Sequence, residues 1–159
     1  MLLVGSGADL NGRRLGAAVD APRSRWDVVA RLNRPYGDVR DVGRRTDVIF
    51  TRWKAWLDWW PRATLDAVQD VLVLNECAGV SREELEMDCR EIGHDCASIG
   101  LHAAAFLLRR GARVEALGFG WLGGAFAREK RYPDGRRDGN PRYNWRAENV
   151  WLERNVKLL

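Results

Sequence analysis

Short apolar runs recur along the chain, and stretches with helical spacing lie between them. Residues 2–4 are the first run and lead straight into Gly5-Ser6-Gly7. Further runs fall at 28–32, 48–51, 71–74 and 114–117. Segment 71–74 has no alternation, which suits a strand buried on both faces. Among the helical stretches, 10–19 reads as loop and helix, and 52–60 as a helix stopped by Pro61. Ser81 with Glu84 three residues on forms a capping box for a helix over 82–90. Ser98 caps a helix over 99–110 that ends at Gly111 and is apolar on most sides, hence buried. A last helix is expected over 145–158, with Ala147, Val150 and Trp151 on its inner face. Residues 121–142, rich in Gly, Arg and Asp, read as a mobile loop.

Strands alternating with helices predict an α/β protein: a Rossmann-like single domain over 1–159, its mainly parallel sheet flanked by helices. Such sheets bind ligands at the carboxyl ends of their strands. Gly5 to Gly7, Asn33, Asn75 and Gly118 to Gly120 each follow a strand, so they are expected to share one rim. A strand–glycine–helix turn can offer backbone N–H groups to a phosphate, although alone it is a weak sign.

Composition narrows the class. A chain of 159 residues buries enough surface to need no disulfide staples. Cys77, Cys89 and Cys96 are odd in number and irregularly spaced, so they read as reduced thiols of a cytoplasmic protein. The sequence shows neither a signal peptide nor a membrane span. A net charge of +4 suits a nucleotide, an anionic glycan or nucleic acid, or simply an arginine-rich surface.

VGSGADLNGRRLG, followed by VVARLNRP and DVGRRTDV, resembles the long sialyl motif of the eukaryotic-type sialyltransferases, glycosyltransferase family 29. Gly5, Gly7, Leu10, Gly12, Gly16, Asp20, Arg31, Asn33, Asp41, Val42, Gly43, Arg45 and Thr46 stand in register with it. ASIGLHAAAFLLRRGARVEALGFG is similar to the short sialyl motif through Ser98, Gly100, Gly118, Phe119 and Gly120. The resemblance implies a GT-A-variant-like fold, a CMP-linked sugar as donor, a glycan or other hydroxyl acceptor, and neither metal nor cofactor. It places Gly5, Ser6, Gly7 and Asn33 at the nucleotide phosphate and ribose. Ser98, Ile99 and Gly100 would face the sugar carboxylate or phosphate, and Gly118 the cytosine.

The departures are specific. The family's two motif cysteines, paired in the secretory compartment, would fall at Met1 and Gly111. Ser6 replaces an Asn, Ala97 a Pro and Ile99 a hydroxyl residue. YNWRAE stands where the family has His-x4-Glu, with Tyr143 in place of the basic histidine and Glu148 in place of the glutamate. Tyrosine, with a reference pKa near ~10, is a poor base at neutral pH. His94, four residues before Ser98, is the substitute candidate.

Other clusters have plainer readings. Asp41, Arg45 and Asp47 read as a structural ion-pair and capping cluster. Cys89, His94 and Cys96 lack a zinc-like spacing, and His102 reads as a core histidine. Trp53, Trp56 and Trp60 fall at core spacing on a helix, with Trp59 off that stripe as a minor candidate for stacking. The arginines of 128–146 form either a solvated face or a lid. Two further readings stay beside the glycosyltransferase: a nucleotide-binding module without transferase activity, and, less favoured, a protein that modifies nucleic acid.

Overall fold

The computed structural model describes residues 1–34, 37–74, 79–122, 125–126 and 142–159. Asn75, Cys77 and most of the arginine-rich segment lie outside the described residues.

Six strands form one parallel sheet: β1 (Leu2–Val4), β2 (Val29–Leu32), β3 (Val48–Thr51), β4 (Asp70–Val73), β5 (Glu115–Leu117) and a last strand, Lys157–Leu158, numbered β8. Their order is β4-β3-β2-β1-β5-β8. The chain thus builds outward from β1 in one direction, then returns to the other side of β1 to begin again. The carboxyl ends of β1 and β5 flank this reversal, the place where open α/β sheets form a crevice. This is the Rossmann-like α/β architecture that the alternation of runs predicts.

Both faces of the sheet are covered, so its strands lack polar alternation. Leu3, Ala30, Leu32, Phe50, Leu72 and Ala116 pack on one face beneath α5 (Ile99–Arg109). Phe50 and Phe106 meet edge to face, with ring centroids 5.4 Å apart. Leu2, Val4, Val29 and Leu117 point the other way, onto Val19 of α1 (Gly16–Asp20) and Val42 of α2 (Val39–Val42). Ser81 and Glu84 close the expected capping box at the start of α4 (Arg82–Glu91), which packs on α5.

Several expectations change. The stretch after β3 is a 3-10 helix, Lys54–Trp59, followed by α3 (Arg62–Ala67). With three residues per turn, Trp53, Trp56 and Trp59 align along one edge, and that edge faces outward. Trp53 is 50% and Trp59 62% exposed, whereas Trp60 is buried. Part of the segment expected as a loop pairs as a hairpin of β6 (Trp121–Leu122) and β7 (Ala125–Phe126). The last helix, α6 (Trp145–Asn155), is shorter than expected. Val156 is extended and buried, and the N–H groups of Lys157 and Leu159 donate to Val114 and Ala116 to make β8. Glu148 and Leu152, one turn apart, are the buried residues of α6, and Val150 is exposed.

The cluster read as structural is so. The Asp41 carboxylate accepts the N–H groups of Gly12 and Arg14, and Arg45 pairs with Asp47 at 3.0 Å. His102 is buried against Asp88, with Nδ1 2.6 Å from Oδ2.

Glu115 ties the last strand to the sheet. It accepts from Trp26 Nε1 at 2.7 Å, Arg25 at 2.8 Å and Lys157 at 2.5 Å. Partial burial alone would raise its pKa, but these three donors outweigh it and hold the carboxyl below the usual range. A depressed carboxylate stabilises the fold above its unfolded pKa, and that contribution is lost as pH falls through the folded value. We expect Glu115→Gln to lower unfolding free energy at neutral pH by about 1–2 kcal/mol. Urea titrations at several pH values should show that the deficit shrinks below the ordinary glutamate range.

Candidate functional site

The site is built on the reversal between β1 and β5. Gly5 N–H donates to Leu117 O and Gly7 N–H to Gly118 O, each at 2.7 Å. Asp9 locks the pair: its carboxylate accepts Gly118 N–H at 3.0 Å and Gly120 N–H at 2.7 Å. Side chains do not fit between these backbones. A Cβ at Gly7 would lie 2.8 Å from Gly118 O, and one at Gly118 would lie 2.8 Å from Leu10 Cδ2. Gly118 also has φ +83°, a conformation that favours glycine. The turn's glycines therefore spend their N–H groups on β5. Ser6, half-buried between them, makes no hydrogen bond among the described residues.

Phe119 carries the site across to α5. Its ring passes 3.1 Å from a Cβ position at Gly5 and 2.6 Å from one at Gly100. Gly100 thus makes room for an aromatic ring. At the start of α5, the Ser98 hydroxyl accepts Leu101 N–H at 3.3 Å. Ser98 N–H donates to Glu148 at 2.8 Å, and both residues are buried. The N–H groups of Ile99 and Gly100, also buried residues, have no acceptor among the described residues. Every helix leaves its first N–H groups without an intrahelical partner. Here Glu148 and Ser98 satisfy some of them and leave these two.

Asn33 closes the rim at the end of β2. It adopts φ +55°, which asparagine tolerates better than most residues. Its N–H donates to Phe50 O and its carbonyl accepts Trp60 Nε1 at 2.6 Å. Arg52 N–H donates to Asn33 Oδ1 at 3.2 Å, so the amide is held by its oxygen and its NH2 group has no partner among the described residues. Arg52 is a residue that the sequence reading missed. Its guanidinium donates to Ala97 O at 2.8 Å and lies 5.6 Å from the Tyr143 ring centre. It is half-buried and makes no salt bridge among the described residues. Its place directly after β3, like that of Asn33 after β2, was the available signal.

Contacts therefore connect Gly5, Gly7 and Gly118 through Phe119 to Gly100, Ile99 and Ser98, and through Ala97 and Arg52 to Asn33 and Tyr143. Tyr143 also packs on Trp145, with ring centroids 4.9 Å apart. His94 stands apart on the α4–α5 loop. Its Nδ1 faces Cys96 O at 3.1 Å and Cys96 N at 3.3 Å. It lines a surface cavity of about 660 Å³ along α4 with Arg82 and Cys89, and none of the rim residues borders that cavity. Cys89 and Cys96 are free thiols. Burial pushes the Cys89 thiol up. Among the described residues, no group of three or more His, Cys, Asp or Glu side chains is placed to hold a metal ion.

The fold is that of solved sialyltransferases. A crystal structure of a mammalian sialyltransferase is similar over 99% of this chain and 67% of that one, with 17% identity and a TM-score of 0.61. A mammalian sialyltransferase in complex with Gal-beta-1-3GalNAc-ortho-nitrophenol is similar over 99% and 68%, with 19% identity and a TM-score of 0.58. No protein-family model matches the chain. A search of curated proteins finds no match either. At these identities the likeness is one of fold.

The close approach at the reversal is testable. Gly7→Ala puts a methyl group onto Gly118 backbone that is fixed by Asp9, and should cost about 3 kcal/mol of unfolding free energy. Gly111→Ala, at φ +78° but with open space around it, should cost only about 1 kcal/mol. Equal losses in chemical denaturation would mean that the turn is not tightly packed on β5.

Proposed function

We propose that the chain is a metal-independent glycosyltransferase that binds a CMP-linked sugar at this rim and transfers the sugar to an acceptor hydroxyl with inversion. The observation that carries the reading is the pair of N–H groups at Ile99 and Gly100 that have no acceptor among the described residues, beside the turn and Gly118. Buried N–H groups seek acceptors, and the start of a helix favours an anion. A phosphate or sugar carboxylate meets both demands. Motif register and the fold shared with sialyltransferases support the choice of a CMP sugar over other nucleotides. The free thiols support a cytoplasmic setting.

In the proposed reaction, the acceptor oxygen attacks the anomeric carbon, the bond to the phosphate oxygen breaks, and CMP leaves. The N–H groups of Ile99 and Gly100 and the Ser98 hydroxyl take up charge developing on the leaving phosphate. The Asn33 NH2 group donates to the nucleotide, and the open backbone at Gly118 lets the base lie close. The acceptor proton goes to a base. Tyr143, at the rim, and His94, on the neighbouring loop, are the two candidates.

Calorimetry with CMP and CMP-sialic acid tests the binding half. Both should bind, and Asn33→Ala should weaken CMP about tenfold through loss of one half-buried donor. No heat with any nucleotide at millimolar concentration would refute the reading. A second reading, a nucleotide-binding module, is favoured by tyrosine standing where the family's histidine would be. CMP binding without donor hydrolysis or transfer across an acceptor panel would select it, and activity gained by Tyr143→His would identify the lost base.

A further inference from the structure

We infer that the chain carries a second ligand site on the opposite side of β2, which takes a small organic carboxylate with a flat apolar body. The site is a cavity of about 360 Å³ between α2 and α3, bordered by Arg31, Val39, Val42, Arg44, Trp60 and Thr64. That volume lies within the range of small-molecule pockets.

Arg31 gives the cavity its charge. It is 4% exposed, on a strand whose other inward residues are apolar. Its Nε donates to Arg45 O at 3.0 Å, and its Nη2 to Val42 O at 2.7 Å and Gly43 O at 2.9 Å. These carbonyls end α2 and the turn after it, so the guanidinium doubles as a helix C-cap. Nη1 has no acceptor among the described residues. No fully buried side-chain nitrogen in the described residues lacks a partner, so Nη1 meets open space. Arg31 lines this cavity.

The surroundings define the ligand. Burial pushes the Arg31 guanidinium down to about 10, still cationic at neutral pH, with Asp20 and Asp47 opposing the shift. Asp20 is spent on the N–H groups of Arg44 and Arg45, and Asp47 on Arg45 and Val29 N–H. The Arg44 side chain is exposed at the rim without a partner among the described residues. Three arginines against two aspartates leave one positive charge to match, which suits a monoanion. The walls are the Trp60 indole and the valines, with the Thr64 hydroxyl at the edge; they suit a flat apolar body. Trp60 links the two sites, because its Nε1–H holds the Asn33 carbonyl.

The inference does not depend on the proposed function, and its test keeps the two apart. Titrate the full chain with naphthalene-2-carboxylate and follow the Trp60 indole N–H by NMR, assigned through Trp60→Phe. Saturable binding with a shift of that resonance is expected. Naphthalene-2-methanol, the neutral analogue, should bind at least tenfold more weakly, and Arg44→Gln should cost the carboxylate several-fold. Thr64→Trp, which fills the mouth from an exposed helix face, should abolish binding and leave CMP affinity unchanged. Saturating CMP should not displace the carboxylate. A carboxylate that leaves the Trp60 signal unmoved, or binds Thr64→Trp as well as wild type, or is displaced by CMP, would overturn the second site, whether or not CMP binds at the rim.

Discussion

Three glycine backbones meet where the sheet reverses direction, and the rest of the rim takes its position from that contact. Gly5 and Gly7 donate to the end of β5, and Asp9 returns two acceptors to Gly118 and Gly120. Each of these bonds joins segments more than a hundred residues apart in the chain. Such a contact carries a large closure cost and is stable only when everything around it agrees. The agreement is visible on both faces: Leu2, Val4 and Leu117 are buried on one, Leu3 and Ala116 on the other. The turn is therefore rigid for a packing reason before any ligand arrives. Phe119 transmits that rigidity to α5, because its ring fits only where Gly5 and Gly100 lack side chains.

Much of this was legible in the residues. Apolar runs without alternation mark strands covered on both faces, and β3 falls where its run does. The Ser81–Glu84 box and the Ser98 cap fix two helix starts through side-chain chemistry that sequence records directly. The last strand was not legible. Two residues after a helix have no periodicity, and only the exposed edge of β5 makes Lys157 and Leu158 a strand. The tryptophan edge was misjudged because 3-10 winding replaces the 3.6-residue repeat, and nothing in 52–60 signals that change. Asp9 and Arg52 escaped notice because their roles depend on partners supplied by distant segments.

The sialyl-type motif residues divide by task. Arg31 satisfies the end of α2, Asp41 takes loop N–H groups at Gly12 and Arg14, Arg45 pairs with Asp47, and Gly16 and Gly43 let two short helices touch. Asn33, Ile99 and Gly100, and Arg31 through its Nη1, keep donor capacity that no acceptor among the described residues uses. A motif in register thus says more about architecture than about ligand contact. This is why a likeness below one-fifth identity carries the fold and leaves the donor to experiment.

Glu148 sharpens that division. It is buried, it receives Ser98 N–H, and it brings a carboxylate to the start of α5. The protein already fills part of this donor array with an acceptor of its own. In the proposed reading a phosphate would sit beside that carboxyl group, and two acceptors side by side are tolerated only where further donors or cations separate them. Arg52 is the cation at hand: it holds Ala97 O one residue before Ser98, and forms no ion pair among the described residues. Arg52 follows the fully buried Thr51 of β3 and is itself half-buried, a position that costs desolvation. The proposal of an anionic ligand therefore rests on these donors as well as on the family resemblance.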